Sequence, residues 1–238
     1  MTCALRACGG RSGKPAKAGL RRIAAGSARG LQGKTPLGPE WGIGVGSAAE
    51  MDLALGLSAW IVQDGNYGDF ERGQRIEVAV EVYFERVEIV AAGTPACMRL
   101  EGAMHSITGA VTHVSPGVWV IDSGVQMYCD APRPAEIAAG MMVHGRAFVG
   151  VDHFAYFERF ANQPSVPPLI YAWRVKRVLR QTAPFVEIDG VRRRAPEESA
   201  WQEIERTDAW VDDGGYAEYV LECELLAESP KRSSATAL

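Results

Sequence analysis

At 238 residues, 47% hydrophobic and 23% charged, the chain has a globular composition without extreme bias and can bury one sizeable core. Asp, Glu, Arg or Gly interrupts every apolar stretch short of the roughly 18 to 20 residues that a membrane helix needs, which excludes a helical membrane protein. The net charge of −4 is unevenly spread: residues 1–50 carry eight Lys and Arg against Glu40 and Glu50, a net of +6, and leave −10 on the remainder.

The basic leader has no apolar core followed by a small-residue cleavage site, so it is not a secretory signal. Its Arg, Ala and Ser content suits an organellar transit peptide, but Gly and Pro punctuate it too densely for an amphipathic helix. We read it as an upstream extension that the fold does without, the folded part beginning at Met51. Residues 28–35, Ala-Arg-Gly-Leu-Gln-Gly-Lys-Thr, match a relaxed phosphate-loop pattern. No buried strand precedes them, and Pro36, Gly38 and Pro39 stand where a helix must start, so the match is set aside.

From Met51 the chain reads as strands. Residues 53–62 form an apolar run that ends in the turn signal Asp64-Gly65-Asn66-Tyr67-Gly68-Asp69. Ile76, Val78, Val80, Val82 and Phe84 alternate with Glu77, Ala79, Glu81, Tyr83 and Glu85, one buried face and one wet face. The apolar phase then shifts to Val87 and Ile89, which predicts a bulge near Glu85 and Arg86.

Further strands are predicted at 107–114 and 118–122, joined by Ser115-Pro116-Gly117, and at 125–130, with a short helical turn at 132–139. Met141 to Val151 alternates again, and Leu169, Tyr171, Trp173 and Val175 open a strand that runs to Gln181. The stretches 185–188, 201–210 and 216–226 add β structure, with turns at Asp189-Gly190, Arg192-Arg193-Arg194 and 212–215. The tail from 229 is expected to be disordered.

Three strands, a short helix and two final strands over 103–182 resemble the OB-fold, a small Greek-key barrel. The resemblance rests on element order, with Gly109 as a compatible bend in the first strand. It implies a ligand face on the second and third strands, flanked by the first and last hairpin loops. The expected fold class is therefore all-β: an OB-like Greek-key barrel extended by strands at both ends, a single domain over 51–228 with one short helix.

Candidate binding residues gather in two places. The 152–168 loop holds Phe154, Tyr156, Phe157, Arg159 and Phe160, a set that either stacks on a flat ligand or single-stranded nucleic acid, or folds down as a plug over the barrel end. Arg174 and Lys176, with Arg177 and Arg180, form a basic strand that either contacts phosphates or pairs with acidic neighbours. Residues 103–182 carry a net +2, between −5 over 51–102 and −7 over 183–238, so pairing is expected.

Asp152 and His153 adjoin at a strand end, where an acid–base or metal role is conceivable for a small hydrolase or transferase. No His-x-x-x-His spacing, Cys-x-x-Cys pair or Gly-x-Ser-x-Gly elbow occurs, so no catalytic residue, metal ligand or cofactor is assigned. The five cysteines read as reduced thiols, which fits a cytoplasmic protein. The expectation is a cytoplasmic, non-catalytic binding or interaction module with a protein or oligonucleotide partner and no membrane. The alternatives are a single-stranded nucleic-acid binder and the Asp152/His153 enzyme.

Overall fold

A computed structural model describes residues 51–188, 190–195 and 200–232. The basic leader, the phosphate-loop match, Asp189 and residues 233–238 lie outside the described residues.

The described chain is all-β apart from short helical pieces. In chain order the elements are β1 (Asp52–Ser58), α1 (Ala59–Gln63), β2 (Arg75–Val78), β3 (Val80–Val90), β4 (Ala96–Glu101), β5 (Met104–Ser115), β6 (Val118–Asp122) and β7 (Gln126–Cys129). There follow β8 (Met142–Val151), a single π-helical turn (Tyr156–Phe160), β9 (Tyr171–Gln181), β10 (Phe185–Ile188), β11 (Val191–Arg194), β12 (Trp201–Ile204) and β13 (Glu218–Leu225).

Strands β5, β6 and β7 form an antiparallel meander, and β8 pairs antiparallel with β5. The expected closing strand, β9, does not complete the ring. β3 does so instead, antiparallel to β8 from Val80↔Val151 to Val90↔Met142 and parallel to β7 at Glu81↔Tyr128. β9 is used up elsewhere: one of its edges pairs with β13, and the other is shared by β2 and β12. β13 continues to β1, which touches β8 in parallel at Gly56↔Gly150, so the outer strands extend the ring without a break.

The predicted alternating strand over 76–85 thus serves two neighbours. It divides at Ala79, whose carbonyl accepts the Asp152 N–H at 3.0 Å; β2 leaves for β9 and β3 for β8. The predicted bulge is present, with the β3–β8 register shifting between Phe84 and Arg86. Gly145 faces it, and a side chain there would overlap the Arg86 carbonyl oxygen. Gly109 allows a similarly close approach of Ile121 and the Asp122 carbonyl.

Other expectations are corrected. Residues 59–63 are helical rather than extended, and 132–139 contains turns but no helix, since Pro132 and Pro134 each remove a backbone donor. Residues 191–194 form a strand hairpinned to 185–188, and 205–210 is loop. Part of the predicted tail is engaged: Lys231 and Ile170 exchange backbone hydrogen bonds of 2.7 and 2.9 Å.

One large core fills the ring and continues under the β1–β13–β9 sheet, through Leu55, Val80, Ile107, Ile121, Met127, Val149, Trp173 and Leu221. A second cluster lies outside the ring, on β6 and β7.

Candidate functional site

Both faces of β6 and β7 are buried. Trp119, Ile121, Met127 and Cys129 point into the main core, while Val118, Val120 and Tyr128 point outward under Tyr156, Phe160, Val166, Leu169 and Ile170. The face to which the OB-fold resemblance assigns a ligand is therefore covered by the chain's own 155–170 segment. Tyr156 and Phe160 flank the Tyr128 ring, each at 6.1 Å. The Tyr156 hydroxyl donates to the Pro167 carbonyl at 2.9 Å and accepts the Leu169 N–H at 3.0 Å. Each large apolar side chain buried in this way contributes about 1.5–3 kcal/mol, so the cover is core.

Of the predicted stacking residues, Phe154, Tyr156 and Phe160 are buried and Phe157 is half-buried. Phe154 stacks on Tyr67 at 5.5 Å and meets Phe157 edge-on at 5.7 Å. Arg159 is exposed, 4.8 Å above the Phe160 ring, with Nη1 3.5 Å from Asp130 Oδ2. The basic strand stands apart from this group. Lys176 pairs with Asp52 at 2.9 Å, Arg177 with Glu203 and Glu222 at 3.0 Å, and Arg180 with Asp212 at 2.5 Å. Arg174 is exposed between its register partners Arg75 and Glu224. The acidic flanks pair with Lys176, Arg177 and Arg180, as the charge distribution predicts.

Asp152 and His153 take different partners. Asp152 is turned inward and 1% exposed; its Oδ1 receives the Tyr128 hydroxyl and the Tyr156 N–H, the latter at 3.0 Å. Burial raises its pKa to about 6, against the pull of those two bonds. His153 is turned outward, its Nδ1 hydrogen-bonded to Glu81 Oε2. That bond, opposed by partial burial, raises its pKa to about 9, so the imidazole is cationic at neutral pH. On its other side Nε2 lies 4.0 Å from Asp130 Oδ2, and Trp60 packs 6.2 Å from the ring. Phe154 follows at φ 80°, a left-handed conformation that costs a non-glycine residue about 1–3 kcal/mol. Its ring is held by Tyr67, Phe157 and Trp60.

A cleft of about 180 Å3 opens beside Asp130, lined by the 115–119 turn and by residues 130–133. Arg159 overhangs it, an η-nitrogen lying about 4.0 Å from where a side chain on Gly117 would begin. Ser115 Oγ, in its lining, has no hydrogen-bond partner among the described residues. Arg159 and the cationic His153 thus converge on one carboxylate, and both hold it at long range.

The sequence missed Glu81, Tyr128 and Asp130. Glu81 belongs to a row of acids on the predicted wet face. Only the pairing of β3 with β8, which sets it opposite Gly150, and with β7, which sets it opposite Tyr128, brings it to His153. No local signal in the chain carries that register.

Among the described residues no group of three or more His, Cys, Asp or Glu could hold a metal ion, and no helix is long and apolar enough to cross a membrane. Cys97, Cys129 and Cys223 are free thiols; burial pushes Cys97 and Cys129 up to about 12. No family model, curated protein or solved structure matches the chain.

Proposed function

We propose that the protein is a non-catalytic binding module on an OB-like barrel, with β3 in the closing position, and that it binds a small oxyanion-bearing ligand at the barrel end. The observation that carries this reading is the convergence of His153 and Arg159 on Asp130 at the mouth of the 115–133 cleft. Asp130 is held at 4.0 and 3.5 Å, distances at which a ligand carboxylate or phosphate can replace it with shorter, charge-assisted bonds. A cytoplasmic location belongs to the same proposal and is supported by the free thiols.

The alternatives have less support. Single-stranded nucleic acid would need the β6–β7 face that the 155–170 segment occupies, or a basic strand in which Lys176, Arg177 and Arg180 are already paired. The hydrolase or transferase reading needs a base near neutral pH, whereas His153 is held protonated by Glu81 and Asp152 is enclosed by Tyr128 and Tyr156.

NMR detection of the His153 ring during titration with succinate and with inorganic phosphate tests the proposal and distinguishes the two oxyanion classes. The reading predicts saturable shifts with at least one of them, weakened about tenfold or more in Arg159→Gln by loss of one charge-assisted contact. No saturable shift with either, or equal shifts in the variant, would refute it.

A further inference from the structure

In the turn that follows Ala209, large apolar side chains project into water. Trp210 and Tyr216 are 68% and 71% exposed, and Val211 between them is 70% exposed. Aromatic residues this exposed are rare on a surface with no partner and common at the centres of interfaces.

Their backbone is firmly held. The Gln63 side-chain amide donates to the Ala209 and Gly215 carbonyls at 2.7 and 2.9 Å, tying α1 to the 209–215 turn. The Ala59 N–H bonds the Ala217 carbonyl at 2.9 Å, which sets Trp60 and Tyr216 on adjoining segments. Asp69 Oδ1 receives the Thr207 hydroxyl at 2.8 Å and the Ala209 N–H at 3.1 Å, fixing the chain just before Trp210. Neither Trp210 nor Tyr216 has an aromatic ring partner among the described residues. A rigid turn therefore presents uncollapsed rings, and contact with a partner costs little ordering.

Charge decides the partner. Three nearby cations are engaged: Arg180 by Asp212, Arg194 by Asp213 and Arg206 by Asp69. Asp64 and Asp208 are exposed with no cationic partner among the described residues. At Asp208 a shallow cleft of about 370 Å3, lined also by Asp69, Arg206 and Thr207, has room for a side chain. Indole and phenol faces carry a negative quadrupole and attract ammonium and guanidinium groups. The uncompensated charge at this corner has the same sign as those faces, which disfavours nucleic acid and anionic lipid.

We infer that this corner docks a Lys- or Arg-bearing segment of a partner protein, with cationic side chains over the Trp210 and Tyr216 rings and against Asp208 and Asp64. The surface is distinct from the oxyanion cleft and takes a ligand of opposite charge.

The test is calorimetric titration of the full chain with an arginine-rich peptide, an acidic peptide of the same length and a neutral β-glucan oligosaccharide. The wild type is compared with W210A/Y216A, W210F/Y216F and D64N/D208N, and thermal unfolding verifies the fold of each. Binding of the arginine-rich peptide is expected to weaken about tenfold in W210A/Y216A, which leaves the charge unaltered, and to stay within about threefold in W210F/Y216F. In D64N/D208N its salt dependence should be reduced. No binding, or binding equal in W210A/Y216A and wild type, would overturn the proposal. Preferential binding of the oligosaccharide or the acidic peptide would assign the corner to another ligand and overturn it equally.

Discussion

The Tyr128 hydroxyl donates to Asp152 Oδ1, the same oxygen that receives the Tyr156 N–H at 3.0 Å. A single carboxylate therefore joins the third strand of the meander to the segment that covers it. Tyr128→Phe removes the donor and leaves the carboxylate buried with one partner fewer. A loss of about 1–3 kcal/mol is expected in urea unfolding. A variant as stable as wild type would show that the bond contributes nothing.

Asp152 also makes stability depend on pH in an unusual direction. Its pKa rises from 3.8 to about 6 on folding, so between those values the native state holds the proton more tightly than the unfolded chain. Stability should fall as pH rises through this window, by at most about 3 kcal/mol for a shift of this size. Asp152→Asn retains an acceptor for Tyr128 and Tyr156 without the charge. It should flatten the fall between pH 4 and 6 and unfold at a higher temperature than wild type at pH 8.

His153 acts in the next window. Its pKa rises from 6.5 to about 9 on folding, so the stabilisation from its bond to Glu81 is complete below pH 6.5 and is lost as pH rises through 9. Thermal unfolding of wild type should show a declining midpoint across that range, and His153→Gln should lack the decline. An equal decline in the variant would place the titrating group elsewhere.

Gly145 faces the bulge between Phe84 and Arg86, in the pairing of β3 with β8 that closes the ring. Gly145→Ala puts a methyl group against the Arg86 carbonyl, and either the bulge or the β3 register must give. A destabilisation of about 2–4 kcal/mol is expected, near the upper end for single substitutions. Unfolding at the wild-type denaturant midpoint would contradict a tight bulge.

Strands with a clean period-two pattern were legible in the sequence, as β3, β5, β6 and β8 show, and so was the bulge at Glu85 and Arg86, where the apolar phase shifts. Partner choice was not. β3 and β9 are both long apolar alternations, and nothing local distinguishes the one that closes the ring from the one that pairs with β13. The same holds for the cluster around His153. Arg159 and His153 stand out in a loop, but Glu81 and Tyr128 join them only through non-local register. The fate of the aromatic loop turned on burial: Tyr156 and Phe160 have the chemistry of a stacking platform and the surroundings of a core.

The outward face of β6 and β7 is closed by the chain's own 155–170 segment. Fluorescence anisotropy of a labelled oligothymidylate of about 20 nucleotides, titrated with the full chain at about 50 mM salt, where electrostatic affinity is greatest, tests this most directly. No saturable binding is expected. Saturable binding that weakens in Phe160→Ala or Lys176→Ala would contradict it, because the face or the basic strand would then be open to a ligand.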